Sequence, residues 1–160
     1  MADGVFNIAK GRGVEFYYRV KNNDPANSAL IVVLLQLTGL ETDDLLNNYD
    51  DLAALLAAAN DEATFTNYAR KTLTDSDLAA IPAPDDTNNR RDLDLPDQTW
   101  TSAGGASNNS LGKALVCYDN DTTSGTDANI IPVTFYDFIV TTTGINLVLQ
   151  FAAAGYYRAS

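Results

Sequence analysis

The chain contains no histidine and only one cysteine among its 160 residues. Without histidine, the Ser-His and Cys-His nucleophilic systems and the common histidine-based zinc and iron sites are excluded. A single cysteine excludes a disulfide within the chain and thiolate-bound metal clusters. Cys117 lies in an apolar run, so we predict that its thiol is buried. These absences favour a protein that is not an enzyme and that needs no cofactor.

Basic residues are scarce as well: 10 lysines and arginines stand against 21 aspartates and glutamates, for a formal net charge of −11. Nucleic acids and anionic membranes are both bound through clustered cations, so we expect neither as a partner. The first residues lack the basic and apolar regions of a signal peptide. Apolar runs also fall far short of the ~20 residues of a membrane span. We therefore expect a protein that is made and kept in a cytosol.

Aspartate, in contrast, is abundant and supplies 18 of the 21 acidic residues. Asp and Asn favour turns because their short side chains hydrogen-bond the local backbone. Short strands separated by such turns are typical of an antiparallel sandwich or a jelly-roll-like domain. We predict one domain over residues 1–160, of the α+β class and predominantly β. It has an N-terminal arm over residues 1–13 and a β-rich body over residues 14–160.

Hydrophobic periodicity predicts the individual elements. Alternating apolar residues predict a strand over residues 14–20, and the β-branched run over residues 29–37 favours a buried strand, with a short buried helix as the alternative. One amphipathic helix is predicted over residues 43–59, because leucines recur at helical spacing after the capping residue Thr42. Further strands are predicted over residues 65–73, 111–118, 132–140, 145–151 and 156–157. Residues 93–100 are interrupted by Pro96 and are expected to form an edge strand at best.

One acidic loop has the residue types of a calcium site. Asp119, Asp121 and Asp127 could supply the hard oxygen ligands that Ca²⁺ prefers. The spacing departs from an EF-hand loop, since Gly125 comes one position late and Ile130 replaces the bidentate glutamate. We favour a surface loop stabilised by aspartate hydrogen bonds, with a calcium site as the alternative.

The aromatic residues comprise eight tyrosines, six phenylalanines and one tryptophan. Tyrosine and tryptophan are typical of the centres of protein interfaces. Packing beneath the chain's own loops is the alternative interpretation. Trp100, Tyr156 and Tyr157 could also stack against sugar rings, which leaves a surface carbohydrate-binding module as a further alternative.

Several short strings are spread from one end of the chain to the other. They are VFNIAKGR (5–12), NYAR (67–70), DDTNNR (85–90), LVCYD (115–119), IPVT (131–134), DF (137–138) and AGYYRA (154–159). Together these strings resemble a family of small bacteriophage virion proteins encoded among head and tail structural genes. The strings are distinctive but carry no known chemistry, so the resemblance implies no catalytic residue.

The resemblance implies a structural role in the virion, assembled in the bacterial host cytoplasm. It implies a capsid decoration or cement protein that stabilises the head shell through protein–protein packing. A tail, connector or baseplate component is the alternative. The implied partners are the major capsid protein or neighbouring virion proteins, together with copies of the chain itself, a trimer being favoured.

The contact residues are expected at the two apolar ends of the chain, since apolar and aromatic side chains dominate the centres of protein interfaces. The predicted contact residues are Val5, Phe6, Ile8, Tyr156, Tyr157 and Arg158.

Overall fold

The computed structural model describes residues 3–152 and 156–159. Its strands are β1 (Gly4–Val5), β2 (Ala29–Gln36), β3 (Lys71–Leu73), β4 (Arg91–Leu93), β5 (Gln98–Ala103), β6 (Ser110–Asp119), β7 (Ile131–Thr141), β8 (Ile145–Leu149) and β9 (Tyr157–Ala159). Its α-helices are α1 (Gly13–Lys21), α2 (Asp43–Leu46) and α3 (Leu52–Ala57), and two 3-10 turns span Asn7–Ala9 and Asp127–Asn129.

The strands form one five-stranded sheet in the order β1-β7-β6-β2-β3 and two smaller sheets, β4-β9 and β5-β8. Every strand pair in the described part of the chain is antiparallel. The predicted class, α+β with a predominance of antiparallel β, is confirmed. The strand predicted over residues 111–118 is also confirmed: as β6, it lies at the centre of the large sheet.

The large sheet is buried on both faces, and β2 shows this most clearly. Leu30, Val32 and Leu34 pack into one apolar cluster, and the alternate residues pack into a second cluster on the opposite face. A strand that is covered on both sides has a continuous run of apolar residues in its sequence, because successive side chains point to opposite faces. The strand interpretation of residues 29–37 is therefore confirmed, and the helix alternative is wrong.

Two different layers cover these faces. The first cluster lies beneath α1 and the β5-β8 sheet, and the second lies beneath α2 and α3. Cys117 is fully buried in the second cluster, as predicted, and burial raises the pKa of its thiol. Among residues 3–152 and 156–159, no helix is long and apolar enough to cross a bilayer.

The prediction of a strand over residues 14–20 is wrong, because this segment forms α1. Its buried residues are Gly13, Phe16, Tyr17 and Val20, which is helical spacing. The prediction failed because aromatic and β-branched residues favour strands, and here they also occupy every second position, as they would in a strand. The helical signal was the pair Glu15 and Arg19, which bind each other at 2.8 Å across one turn.

The helix predicted over residues 43–59 is broken into α2 and α3. The backbone N–H of Leu52 donates to the carbonyl of Ile130, and the carbonyl of Asn47 accepts from the N–H of Asn7. These long-range hydrogen bonds take backbone groups that a continuous helix would need. Asp51 then caps α3 by accepting from the Ala54 N–H at 2.7 Å.

Several predicted strands have different bounds. Only the last three residues of the segment 65–73 pair with β2, as β3. The segment 93–100 is split between β4 and β5 around Pro96, and β8 ends at Leu149 rather than at residue 151. Proline lacks the N–H that a ladder needs, which explains the interruption.

Two adjacent leucines of α2 offer a matched test of this layer. Leu46 is fully buried in the second cluster, and Leu45 is 52% exposed. We expect Leu46→Ala to lower the free energy of unfolding by about 2–5 kcal/mol. Leu45→Ala should change it by less than about 0.5 kcal/mol. Urea denaturation, monitored by circular dichroism, measures the free energy of unfolding of both variants. Equal effects would show that α2 does not pack its Leu46 face against the sheet.

Candidate functional site

The predicted contact residues near the N-terminus belong to the fold itself. Val5 is half-buried and pairs with Thr134 of β7, and Ile8 packs against both apolar clusters. Phe6 is fully buried, with its ring 5.3 Å from that of Phe135 in an edge-on contact. The side chain of Phe6 thus has no surface to offer a partner in this conformation. Residues 1 and 2 of the predicted arm lie outside the described residues.

The predicted contact residues near the C-terminus include one buried, one half-buried and one exposed side chain. Tyr156 is buried and donates a hydrogen bond to the carbonyl of Gly13 at 3.1 Å, and burial raises the pKa of its phenol. Tyr157 is half-buried beside α1. Arg158 is exposed and binds Asp92 at 2.6 Å. The contact assignment stays a prediction, with Tyr157 and Arg158 the residues that reach the surface.

The aromatic residues proposed for stacking against sugars do not form a surface platform. Trp100 is 1% exposed, and its indole N–H donates to the carbonyl of Ala69 at 2.8 Å. Tyr156 lies in the same apolar cluster. Both rings are therefore used for packing within the chain, which was the alternative interpretation of the aromatic residues.

The carboxylates of the acidic loop point to different local partners. Asp119 accepts from the N–H of Asp121, and Asp121 accepts from both the N–H and the hydroxyl of Thr123. Asp127 is bound by the guanidinium of Arg70 at 2.5 Å. In residues 3–152 and 156–159, no group of three or more acidic or cysteine side chains lies together as a metal site would require. The arrangement is that of a loop stabilised by aspartate hydrogen bonds.

A half-buried ion-pair network, which sequence reasoning missed, joins three distant segments. The Arg70 guanidinium contacts Glu62 at 2.6 Å as well as Asp127, and the Tyr68 hydroxyl donates to Glu62 at 2.8 Å. The same hydroxyl accepts from the backbone N–H of Leu34 on β2 at 3.1 Å. These charge-assisted bonds fasten the segment before β3 and the 3-10 turn before β7 to the sheet.

The network also fixes charge states. Hydrogen bonding from Arg70 holds the pKa of Asp127 below its ordinary value, against the opposing effect of partial burial. The hydrogen bonds that Arg70 donates to Asp127 and then to Glu62 raise the pKa of Arg70, and burial raises the pKa of Tyr68. Asp127 is therefore an ionised partner of Arg70, and this role explains its place in the loop.

A second ionic cluster lies inside the fold. Lys113 of β6 has a fully buried side chain, and its ammonium nitrogen lies 2.8 Å from Asp43 and 2.6 Å from Asp137. The nitrogen also lies 4.8 Å from the centre of the Phe135 ring. Nothing in the sequence pattern marks this lysine, because the carboxylates come from α2 and β7 and meet it only in the folded sheet.

The exposed apolar residues are concentrated on two consecutive strands. Ile139 of β7 is 66% exposed, and on β8 Ile145 and Val148 are 72% and 43% exposed. The two isoleucines flank the short turn over residues 142–144 and are the most exposed large apolar side chains of the described residues. We call these two isoleucines the β7–β8 surface. Val148 alternates with the buried Leu147 and Leu149, so it points to the other face of β8. Exposed apolar side chains on both sides of one turn are candidates for an interaction site.

The loops beside this surface are held rigidly. Thr142 and Asn109 exchange hydrogen bonds, the N–H of Thr142 donating to the Asn109 carbonyl at 3.0 Å and its hydroxyl accepting from the Asn109 N–H at 2.9 Å. Gly104 has a φ of +91°, and a Cβ there would lie 2.1 Å from Asn108 and 2.8 Å from the Thr142 hydroxyl. Glycine alone fits this position. The strand ends that carry the two isoleucines are therefore pre-organised.

Comparison with known proteins finds no match: no family model, no curated protein and no solved structure matches the chain.

The Arg70 network predicts a pH-dependent contribution to stability. Replacing Arg70 by methionine leaves Glu62 and Asp127 without this cation, and we expect a loss of about 1–3 kcal/mol in the free energy of unfolding near neutral pH. Because the pKa of Asp127 is lowered in the folded chain, its stabilisation is present above the unfolded value of about 3.9 and is lost as the pH falls through the folded value.

Denaturation of both proteins between neutral pH and acid tests this. The difference in stability between wild type and Arg70→Met should shrink as the pH falls below about 4. Arg19→Met, which breaks the exposed pair with Glu15, is the matched control and should have little effect at neutral pH. A difference that is independent of pH would contradict the assignment of an ionised Asp127 to Arg70.

Proposed function

We propose that the chain is a structural protein of a bacteriophage particle, one that decorates the capsid and stabilises the head shell by packing against neighbouring subunits. The observation that carries this proposal is the β7–β8 surface, which leaves two isoleucines 66% and 72% exposed on either side of a pre-organised turn. The sequence resemblance to small virion proteins supports the same assignment. Such a surface is suited to association with other protein subunits rather than to a reaction on a small molecule.

The energetics of this surface fit an assembly protein. Burying an exposed isoleucine against a partner contributes about 1.5–3 kcal/mol. Two such residues give one modest contact, and a shell repeats that contact many times. Repetition within one particle converts weak individual binding into tight retention, since each bound neighbour raises the effective concentration at the next site.

The charge of the chain sets a condition on self-association. With a net charge of −11, copies repel each other at low ionic strength, and apolar contact has to overcome this repulsion. Salt shortens the range of the repulsion to about 8 Å at physiological strength and leaves apolar burial intact. A homo-oligomer of this chain, with a trimer as the expected state, should therefore be favoured by salt.

The composition of purified particles tests the proposal. Quantitative mass spectrometry of virions of the phage that encodes the chain should find it at a copy number that matches the capsid lattice. A copy number that matches a single ring would overturn the decoration assignment in favour of a tail or connector component. Abundance in the infected cell combined with absence from purified virions would contradict a virion role altogether.

The β7–β8 surface can be tested on the isolated protein by changing Ile139 and Ile145 together to serine. Both side chains are largely exposed, so the fold should be retained, with an unchanged circular dichroism spectrum. We expect wild type to sediment as an oligomer, more completely at high salt, and the double variant to sediment as a monomer.

Leu45→Ser is the matched control, because Leu45 is 52% exposed and belongs to α2 rather than to β7 or β8. This variant should assemble as wild type does. Assembly of the double variant at wild-type concentrations, or a wild-type protein that remains monomeric at every concentration and salt strength, would exclude the β7–β8 surface as the self-association site.

A further inference from the structure

Lys113 occupies an unusual position for a lysine. Its side chain is fully buried on the central strand β6, and two carboxylates from different elements converge on its nitrogen: Asp43, the first residue of α2, at 2.8 Å and Asp137 of β7 at 2.6 Å. Lysine is almost never fully buried unless it is paired. Here an amine and two carboxyl groups are held at contact distance within one rigid sheet.

The surroundings of the amine are apolar. Lys113 lies opposite Leu35 in the register of β2 and β6, and Leu35 is fully buried. Leu115, two residues further along the same face of β6, is also fully buried, and the Phe135 ring lies 4.8 Å from the nitrogen. Taking a pair of ions out of water into such a site carries a large desolvation cost. A reaction that removes both charges relieves that cost.

We propose that Lys113 and Asp43 condense to an intramolecular amide, an isopeptide bond, with Asp137 as the acid–base residue. The Lys113 ammonium gives one proton to the Asp137 carboxylate, and the resulting neutral amine attacks the carbonyl carbon of Asp43. The N–C bond forms, one C–O bond of Asp43 breaks, and the departing oxygen leaves as water. This water molecule carries the proton returned by Asp137 and a second proton, which comes from the amine. No oxidant or further reactant is needed, and Asp137 ends as it began.

Asp43 rather than Asp137 is the acyl partner because of where the two carboxylates lie. Lys113 and Asp137 are directly paired across β6 and β7. Directly opposite residues in an antiparallel pair have Cβ atoms only about 5 Å apart, so a lysine chain would have to fold back to form an amide there. Asp43 comes from the helical layer that covers the sheet, not from a strand paired with β6, and it meets the lysine at its nitrogen. Asp137 then lies beside the new bond, where a proton carrier is needed.

The bond would fasten α2 to the centre of the sheet. It closes the chain between residues 43 and 113 into a covalent loop, which constrains the unfolded state much as a disulfide does. The single cysteine leaves the chain without a disulfide of its own, and an isopeptide bond needs no oxidising compartment. This inference is independent of the virion assignment.

The mass of the intact protein tests the proposal. We expect the purified chain to be lighter than its sequence mass by one molecule of water. Trypsin should fail to cut after Lys113, and it should release residues 22–70 joined to residues 92–158 as one branched species. A mass equal to the sequence mass would overturn the proposal. So would a water loss confined to residues 1–10, as succinimide formation at Asp3-Gly4 would give, or one confined to residues 92–158.

Variants separate the roles of the three residues. Lys113→Met and Asp43→Ala should both show their full sequence mass, and the exposed control Lys10→Met should keep the loss of water. Asp137→Asn, which preserves shape but cannot carry the proton, should leave most of the protein unlinked. A linked Asp137→Asn protein with wild-type yield would remove Asp137 from the reaction. Because the wild-type mass decides the main point, a variant that fails to fold does not leave the proposal untested.

Discussion

Burial of both faces of the central strands is the constraint on which the rest of the structure depends. β2 sends alternate side chains into two separate apolar clusters, and β6 beside it does the same. A sheet with two apolar faces needs two covering layers, because neither face can be left to water. α1 and the β5-β8 sheet supply one layer, and α2 and α3 supply the other. The break between α2 and α3 lies where this covering chain exchanges backbone hydrogen bonds with Asn7 of the first 3-10 turn and with Ile130, the residue before β7.

Sequence patterns predicted the parts of the fold that are determined locally. The strands β2 and β6 and the buried Cys117 follow from continuous apolar runs, and the antiparallel class follows from the turn-rich composition. α1 was missed because its aromatic and β-branched residues alternate as a strand would, while its helical evidence lay in the pairing of Glu15 with Arg19. The clusters around Lys113 and Arg70 could not be predicted, because their partners come from different elements and meet only in the folded chain. Phe6 and Tyr156 are buried in the core, and the assignment of contact residues stays a prediction.

The same architecture separates stability from association. The Arg70 network and the Lys113 cluster lie within or against the sheet and join segments that are distant in sequence, so they hold the scaffold together. The β7–β8 surface lies at the end of two strands whose loops are tied by the Thr142 and Asn109 hydrogen bonds. A rigid scaffold that presents a few apolar side chains loses little conformational entropy when it binds. This is the physical basis on which we propose that the chain works in assembly.

A reconstruction of the assembled phage particle by electron cryomicroscopy tests this central claim most directly, because it locates the surface relative to its neighbours. The account predicts density for the chain on the outside of the capsid, with Ile139 and Ile145 buried against an adjacent subunit. Density in which these two side chains face open solvent, while another face makes every contact, would contradict it.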